Sequence, residues 1–198
     1  MTIVHTIGHG NRAGAEFVEL LRRNGVRRLV DVRAFPASRR HPQFARDALQ
    51  QALGEAGIEY VWAGESLGGR RRPTADSPNI ALRNASFRAY ADHMLRPPYQ
   101  AALEHLIAEA HGQSTAIMCA ERLPWRCHRY LIADSLVARG VDVRHIISDD
   151  APRAHALNPI ARRAGAALIY DRATQPGLGL GTDAPAGDRG PGGRGTKR

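Results

Sequence analysis

The segment Thr115-Ala-Ile-Met-Cys119-Ala-Glu121-Arg-Leu-Pro124-Trp-Arg126-Cys127-His128-Arg129 gathers two thiols, a carboxylate, an imidazole and three guanidinium groups. A thiolate is both a nucleophile and a metal ligand, and positive charge or a helix N-terminus favours its formation. Cys119 is expected to end an apolar strand near the amino end of the next helix, beside Arg126 and Arg129, which marks it as a candidate nucleophile. The competing explanation is a small core filler, because Cys is among the most buried residue types. Glu121 is a candidate general base, and His128 a candidate acid/base group. Cys119, Cys127 and His128 are zinc-ligand types, but adjacent ligands in Cys-His and the lack of a second spaced pair place no metal in the expected site, and no cofactor is indicated by the sequence.

Two further strand ends deliver polar groups: Gly8-His9-Gly10 with Asn11 and Arg12, and Asp31-Val-Arg33. A charged residue past one strand is ordinary for a loop. Three such ends in a parallel sheet point the same way and converge on one crevice. Asp31 therefore joins Cys119, Glu121 and His128 as a catalytic candidate. The expected anion-binding set is His9, Arg12, Arg33, Ser38, Arg39, Gly69, Arg70, Arg126, Cys127 and Arg129. Arginine suits bidentate recognition of phosphate or carboxylate, and Gly68-Gly69 lets backbone approach a ligand closely. No Gly-x-Gly-x-x-Gly follows the first strand and no Gly-x-x-x-x-Gly-Lys-Ser/Thr occurs, so dinucleotide and Walker-type phosphate motifs are absent.

Strands are expected at Thr2–Ile7, Arg28–Val32, Ile58–Trp62, Ser114–Cys119 and Val143–Ile147, with a short last one at Ala167–Tyr170. Helices are expected at Ala13–Asn24, Gln43–Ala56, Phe87–Leu95, Tyr99–His111 and Pro124–Arg139, with Gly25, Gly57 and Gly140 as stop signals. Gly64–Asn79 reads as a loop. This alternation implies an α/β fold: a single three-layer α/β/α domain over residues 1–172 with a mainly parallel, Rossmann-like sheet. Residues 173–198 are rich in Gly, Pro and charge and are expected to be a disordered tail.

The 198 residues suit one domain, and 43% apolar composition fits a globular chain. No stretch is apolar enough to span a membrane, and the first residues lack a signal-peptide pattern, so no membrane partner and a cytoplasmic location are expected. The formal net charge is +9, with Lys197 the sole lysine. A GC-rich coding bias accounts for arginine over lysine in general, and less well for the run Arg70-Arg71-Arg72. Two cysteines cannot make a four-cysteine zinc site, and a structural disulfide is not expected in the cytoplasm.

Several motifs resemble, in order, the domain-of-unknown-function 488 family of bacterial and archaeal proteins. They are Thr6-Ile-Gly8-His9 with Arg12, Asp31-Val-Arg33 with Pro36, Ser38 and Arg39, and Leu67-Gly68-Gly69-Arg70. Phe87, Tyr90-Ala91 and Met94 follow, then Cys119-Ala-Glu121, Pro124 and Cys127-His128-Arg129. The resemblance spans about Thr2 to Tyr170 and implies a compact α/β domain without an assigned reaction. A looser similarity links Asp31-x-Arg33 and the strand ending in Cys119 to rhodanese-like domains, from which the long, Pro124-containing connection to Arg129 departs. The residues favour an enzyme acting on a small anionic, phosphate- or nucleotide-like substrate at a Cys/Glu/His/Arg site. Two alternatives stay open: a nucleic-acid-binding protein using arginine-rich loops, and a thiol redox or partner-binding domain using Cys119 and Cys127.

Overall fold

Short β-branched and apolar runs form the central layer: β1 (Ile3–Gly8), β2 (Arg28–Asp31), β3 (Glu59–Trp62), β4 (Thr115–Cys119) and β5 (Asp142–Ile146). In this computed structural model, which describes residues 2–37 and 39–172, they pair in parallel in the order β3-β2-β4-β1-β5. A two-residue strand β6 (Arg153–Ala154) adds antiparallel to β5 at the edge. Every residue of β4 is buried, as a strand covered on both faces requires.

Alternation along β4 sends Ala116 and Met118 to one face and Ile117 and Cys119 to the other. The first face packs on Phe17, Leu20 and Leu21 of α1 (Gly14–Arg23) and on Leu49 and Leu53 of α2 (Arg46–Glu55). A four-residue helix, α3 (Gly64–Leu67), starts the expected loop. The second face meets α4 (Ala85–Met94), α5 (Pro97–Gly112) and α6 (Arg129–Ala138) through Tyr90, Tyr99, Leu103, Leu131 and Ile132. Asn84 caps α4 by accepting from the N–H groups of Ser86 and Phe87, and prolines occupy the first turn of α5. The three-layer α/β/α arrangement expected from the sequence is the observed one.

One expected helix is corrected, and two strands are added to the expected set. The helix expected from Pro124 is a 3-10 turn at Pro124–Arg126, an extended Cys127 (φ −136°, ψ 147°), and only then α6. Arg129 causes the break: its guanidinium reaches back to the carbonyls of Glu121 and Arg122 and fixes that loop against the helix start. Ala167–Tyr170 is a strand, β8, but it pairs with β7 (Ala161–Ala164) in a separate hairpin instead of extending the main sheet. Neither β6 nor β7 was expected, because Arg153–Ala154 and Ala161-Arg-Arg-Ala164 lack an apolar alternation. The tail beyond residue 172, like Ser38, lies outside the described residues.

A buried polar relay fixes this C-terminal part on α6. Asp134, fully buried, accepts hydrogen bonds from His155 Nε2 (2.9 Å), the Asn158 N–H (2.8 Å) and the Tyr170 hydroxyl (2.9 Å). His155 Nδ1 faces His145 Nε2 at 3.0 Å, and His145 Nδ1 faces the Thr6 hydroxyl at 2.7 Å. With Asp134 as final acceptor, each neutral ring donates through Nε2 and accepts at Nδ1, so the chain runs Thr6, His145, His155, Asp134 with every group satisfied.

Burial, reinforced by the Arg129 charge, pushes His145 down to about 3. An unfolded chain protonates this residue near pH 6.5, so its stabilising contribution is complete above pH 6.5 and is lost as pH falls toward 3. At pH 5 the expected loss is about 2 kcal/mol. Urea unfolding at pH 7.5 and pH 5 checks this, and equal stability at the two values refutes it.

Candidate functional site

The carboxyl ends of β1, β4 and β2 lie side by side. Gly8 is in register with Cys119, the His9 N–H donates to the Cys119 carbonyl (3.1 Å), and the Val32 N–H donates to the Met118 carbonyl (3.0 Å). The sequence-expected convergence of three strand ends is therefore present. Two glycines permit it. A Cβ on Gly8 would lie 1.8 Å from the Glu121 carbonyl oxygen, and one on Gly69 would lie 2.4 Å from His128 Nδ1.

Above these ends opens a cleft of about 1280 Å³. At its floor stand Cys119, Cys127 and His128, whose ligand-type atoms all lie within 4.8 Å of one another. His128 Nδ1 is 3.8 Å from Cys119 Sγ and 3.6 Å from Cys127 Sγ, while its Nε2 is 3.1 Å from the Val32 carbonyl. A carbonyl only accepts, so Nε2 carries a hydrogen, and Nδ1 faces both sulfurs. The Tyr90 ring packs edge-on against this imidazole at 4.9 Å.

Both cysteines are free and buried. A hydrogen bond from Cys127, then one from His128 and the nearby Arg129 charge, pull the Cys119 thiol well below its ordinary value against the effect of burial. Burial, joined by Cys119, pushes the Cys127 thiol well up. The cause expected from sequence, a helix N-terminus beside Cys119, is replaced: α6 begins only at Arg129, and side chains do the work. Chemically, the cluster can offer one thiolate, form a reversible bridge, or hold a soft cation.

The anion-binding candidates divide. Arg70 and Arg126 line the cleft exposed, and Gly69 closes over His128. His9 lines it with its ring stacked on Phe44 at 4.3 Å, and burial pushes its pKa down. Arg33 reaches the wall, yet its guanidinium grips Asp31 (2.6 Å) and the Phe44 carbonyl (2.8 Å). Asp31 is fully buried by that pair and by the Tyr60 hydroxyl (2.8 Å), and it does not line the cleft.

Arg12 and Arg129 are also away from the cleft. Arg12 ties the Gly8 and Ile147 carbonyls together, and Arg129 those of Glu121 and Arg122. Arg39 is exposed outside the lining, and Ser38 lies outside the described residues. Glu121 lines the cleft with an exposed side chain and is the one carboxylate among the described lining residues.

Sequence reasoning missed Arg40, Arg72 and Arg122, exposed guanidinium groups on the cleft wall, and Phe35, 68% exposed with Arg70 over its ring at 5.5 Å. Arg40 and Arg72 belong to runs whose neighbours were chosen, so the run itself was the available signal. Arg71, in the same run, instead braces the loop through the Gly68 carbonyl (2.9 Å). No helix among the described residues is long and apolar enough to cross a membrane.

No curated protein and no solved structure matches the chain. Residues 14–136 match the family model described as Domain of unknown function DUF488, a narrower span than the motif resemblance. The match leaves out β1, His9, Arg12 and every member of the polar relay except Asp134, and it includes Asp31, Arg33, Gly69, Arg70, Cys119, Glu121, Cys127 and His128. Covering well over half of the sequence, it establishes that the chain belongs to the DUF488 family.

Proposed function

We propose that the protein is an enzyme acting on a phosphate-bearing, nucleotide-like substrate, bound in the arginine-lined cleft with its reacting part against Cys119. One observation carries this reading. Five exposed guanidinium groups (Arg40, Arg70, Arg72, Arg122 and Arg126) line a cleft that has a single carboxylate among its described lining residues and ends on a thiol–thiol–imidazole cluster. Binding an anion needs only the guanidinium groups; two buried thiols held against an imidazole exceed that need.

The rim favours a nucleotide over a bare phosphate. Phe35 is 68% exposed with Arg70 over one face of its ring, so an aromatic platform and a guanidinium group stand together at the rim, a combination suited to a base and its phosphate. In this scheme Arg70, Arg72 and Arg126 hold phosphate, Glu121 takes or returns a proton at the mouth, and Cys119 is the reaction centre. Asp31 positions Arg33, and Arg33 in turn supports the wall through the Phe44 carbonyl.

Titration calorimetry at low salt with nucleoside triphosphates tests the reading. The double variant Arg70→Ala, Arg72→Ala is expected to weaken binding by at least about 10-fold, since each charge-assisted contact is worth about 1.5–3 kcal/mol. Cys119→Ser is expected to bind normally and lose turnover. Absence of wild-type binding, or unchanged affinity in the double variant, overturns the proposal.

A second reading, single-stranded nucleic acid, is favoured by the cleft volume alone, which exceeds the roughly 300–1000 Å³ usual for small-ligand sites. The dependence of affinity on salt separates the two, because an oligonucleotide engaging several phosphates gives a much steeper slope than one nucleotide.

A further inference from the structure

We infer that Cys119, Cys127 and His128 form a zinc-type metal site with three protein ligands and a fourth position open to the cleft. The argument starts from distances. Sulfur lies about 2.3 Å and imidazole nitrogen about 2.1 Å from a tetrahedral zinc ion, so the two ligand atoms sit roughly 3.6 Å apart. The observed sulfur–nitrogen separations are 3.6 and 3.8 Å. Hydrogen bonding accounts poorly for this near-equality, because one Nδ1, whether it donates to a thiolate or accepts from a thiol, makes one well-aligned hydrogen bond at a time. A shared ion between the three atoms accounts for both distances together.

The surroundings have the features that metal ligands use. His128 carries its hydrogen on Nε2, directed at the Val32 carbonyl (3.1 Å), which is the usual outer contact that orients a ligating imidazole and keeps the other nitrogen free for the ion. The Gly69 backbone lies so close to Nδ1 that a side chain there would strike the ring, so the residue that closes over the cluster is one with no Cβ. Adjacent ligands, which argued against a metal on sequence grounds, converge because Cys127 is extended while His128 already has helical torsions (φ −56°, ψ −24°).

Two thiolates neutralise a divalent ion, and sulfur with imidazole in tetrahedral geometry selects zinc over magnesium or calcium. Cys119, Cys127 and His128 all line the cleft, which leaves the open coordination position on the substrate side. The metal site stands on its own geometry; only its catalytic use rests on the proposed function. In that use, the ion would bind and acidify a water at the open position, on the cleft wall that Glu121 also lines.

Cobalt titration of the reduced, chelator-treated full-length chain is the test. The expected result is one cobalt per chain with thiolate charge-transfer absorption, displacement by zinc, and protection of both thiols from a thiol reagent. The chain has two cysteines in all, so any such band reports on this cluster. Cys127→Ser is expected to weaken cobalt binding by about 100-fold or more, given that even outer contacts of metal ligands are worth 10- to 100-fold.

Thiol protection in the wild-type protein needs no variant to fold. Substoichiometric or sulfur-free cobalt binding, or thiols that stay reactive under saturating zinc, overturns the site. The same metal-free sample is titrated with nucleoside triphosphate. Cobalt binding without nucleotide binding sinks the substrate proposal alone; nucleotide binding without cobalt binding sinks the metal site alone.

Discussion

Asp134→Ala is expected to cost about 4 kcal/mol of folding stability and to lower the melting temperature by on the order of 10 °C. Among the described residues the carboxylate is the sole hydrogen-bond acceptor for three buried groups: His155 Nε2, the Asn158 N–H and the Tyr170 hydroxyl. Alanine strands all three donors without water, and each orphaned donor costs about 1–3 kcal/mol. The loss reaches beyond α6, because His155 passes its partnership to His145 and Thr6 on the main sheet, while Tyr170 ends the β7–β8 hairpin.

Asp134→Asn keeps the shape. Its carbonyl oxygen still accepts from His155 and Asn158, and its amide can donate to the Tyr170 oxygen, so it is expected to recover most of the loss. Thermal unfolding of both variants is the measurement. An alanine variant within about 1 kcal/mol of wild type, the median cost of an ordinary substitution, removes the relay as a structural anchor.

Gly8→Ala is expected to be the most damaging single-methyl change at the site. The new Cβ would fall 1.8 Å from the Glu121 carbonyl oxygen, 2.6 Å from its carbon and 2.9 Å from an Arg129 guanidinium nitrogen. Two of these are backbone atoms, so no side-chain rotation relieves the overlap. Either β1 or the 120–122 loop must move, and that loop carries Glu121 and follows Cys119 directly. Stability is expected to fall by several kcal/mol and nucleotide binding to be lost with it.

Gly54→Ala supplies the control. Nothing lies within 4 Å of a Cβ there, and the residue is inside α2, so a gain of about 0.5 kcal/mol is expected. Urea unfolding of both variants, with calorimetric nucleotide binding, reads the contrast. A Gly8→Ala protein that folds and binds like wild type shows that the strand end is not held as tightly as the geometry states.

Local periodicity made the scaffold legible. Ile3–Gly8, Leu29-Val30 and Thr115–Cys119 are β-branched or apolar runs, and Phe17, Leu20 and Leu21 fall on one face of a helical turn, so strand and helix alternate visibly. The parallel α/β sheet follows from that alternation, and with it the meeting of His9, Arg33 and Cys119 on one rim. Where the pattern was misleading, a distant partner decided. Pro124 reads as a helix start, but the helix begins only at Arg129, whose guanidinium bonds the carbonyls of Glu121 and Arg122, and Ala120–Arg122 and Arg126–His128 line the cleft. The β6 and β7 strands lack an apolar repeat and form by pairing with β5 and β8, the latter tied to α6 through Tyr170 and Asp134.

Residue type and spacing alone determined the fold class and where along the chain the reactive groups lie, because both depend on interactions between near neighbours. Which arginines stay free was decided only in three dimensions. Arg12 and Arg129 differ from Arg70 and Arg126 in nothing that composition records; the first pair is consumed by backbone carbonyls, one of them 135 positions away in sequence, and the second pair faces the cleft. The same holds for Cys127 and His128, whose adjacency looked unfavourable until a change of backbone torsion between them brought sulfur and nitrogen to 3.6 Å. A guanidinium or a lone pair is spent on whatever acceptor or donor folding brings within reach, and that reach is set by tertiary packing.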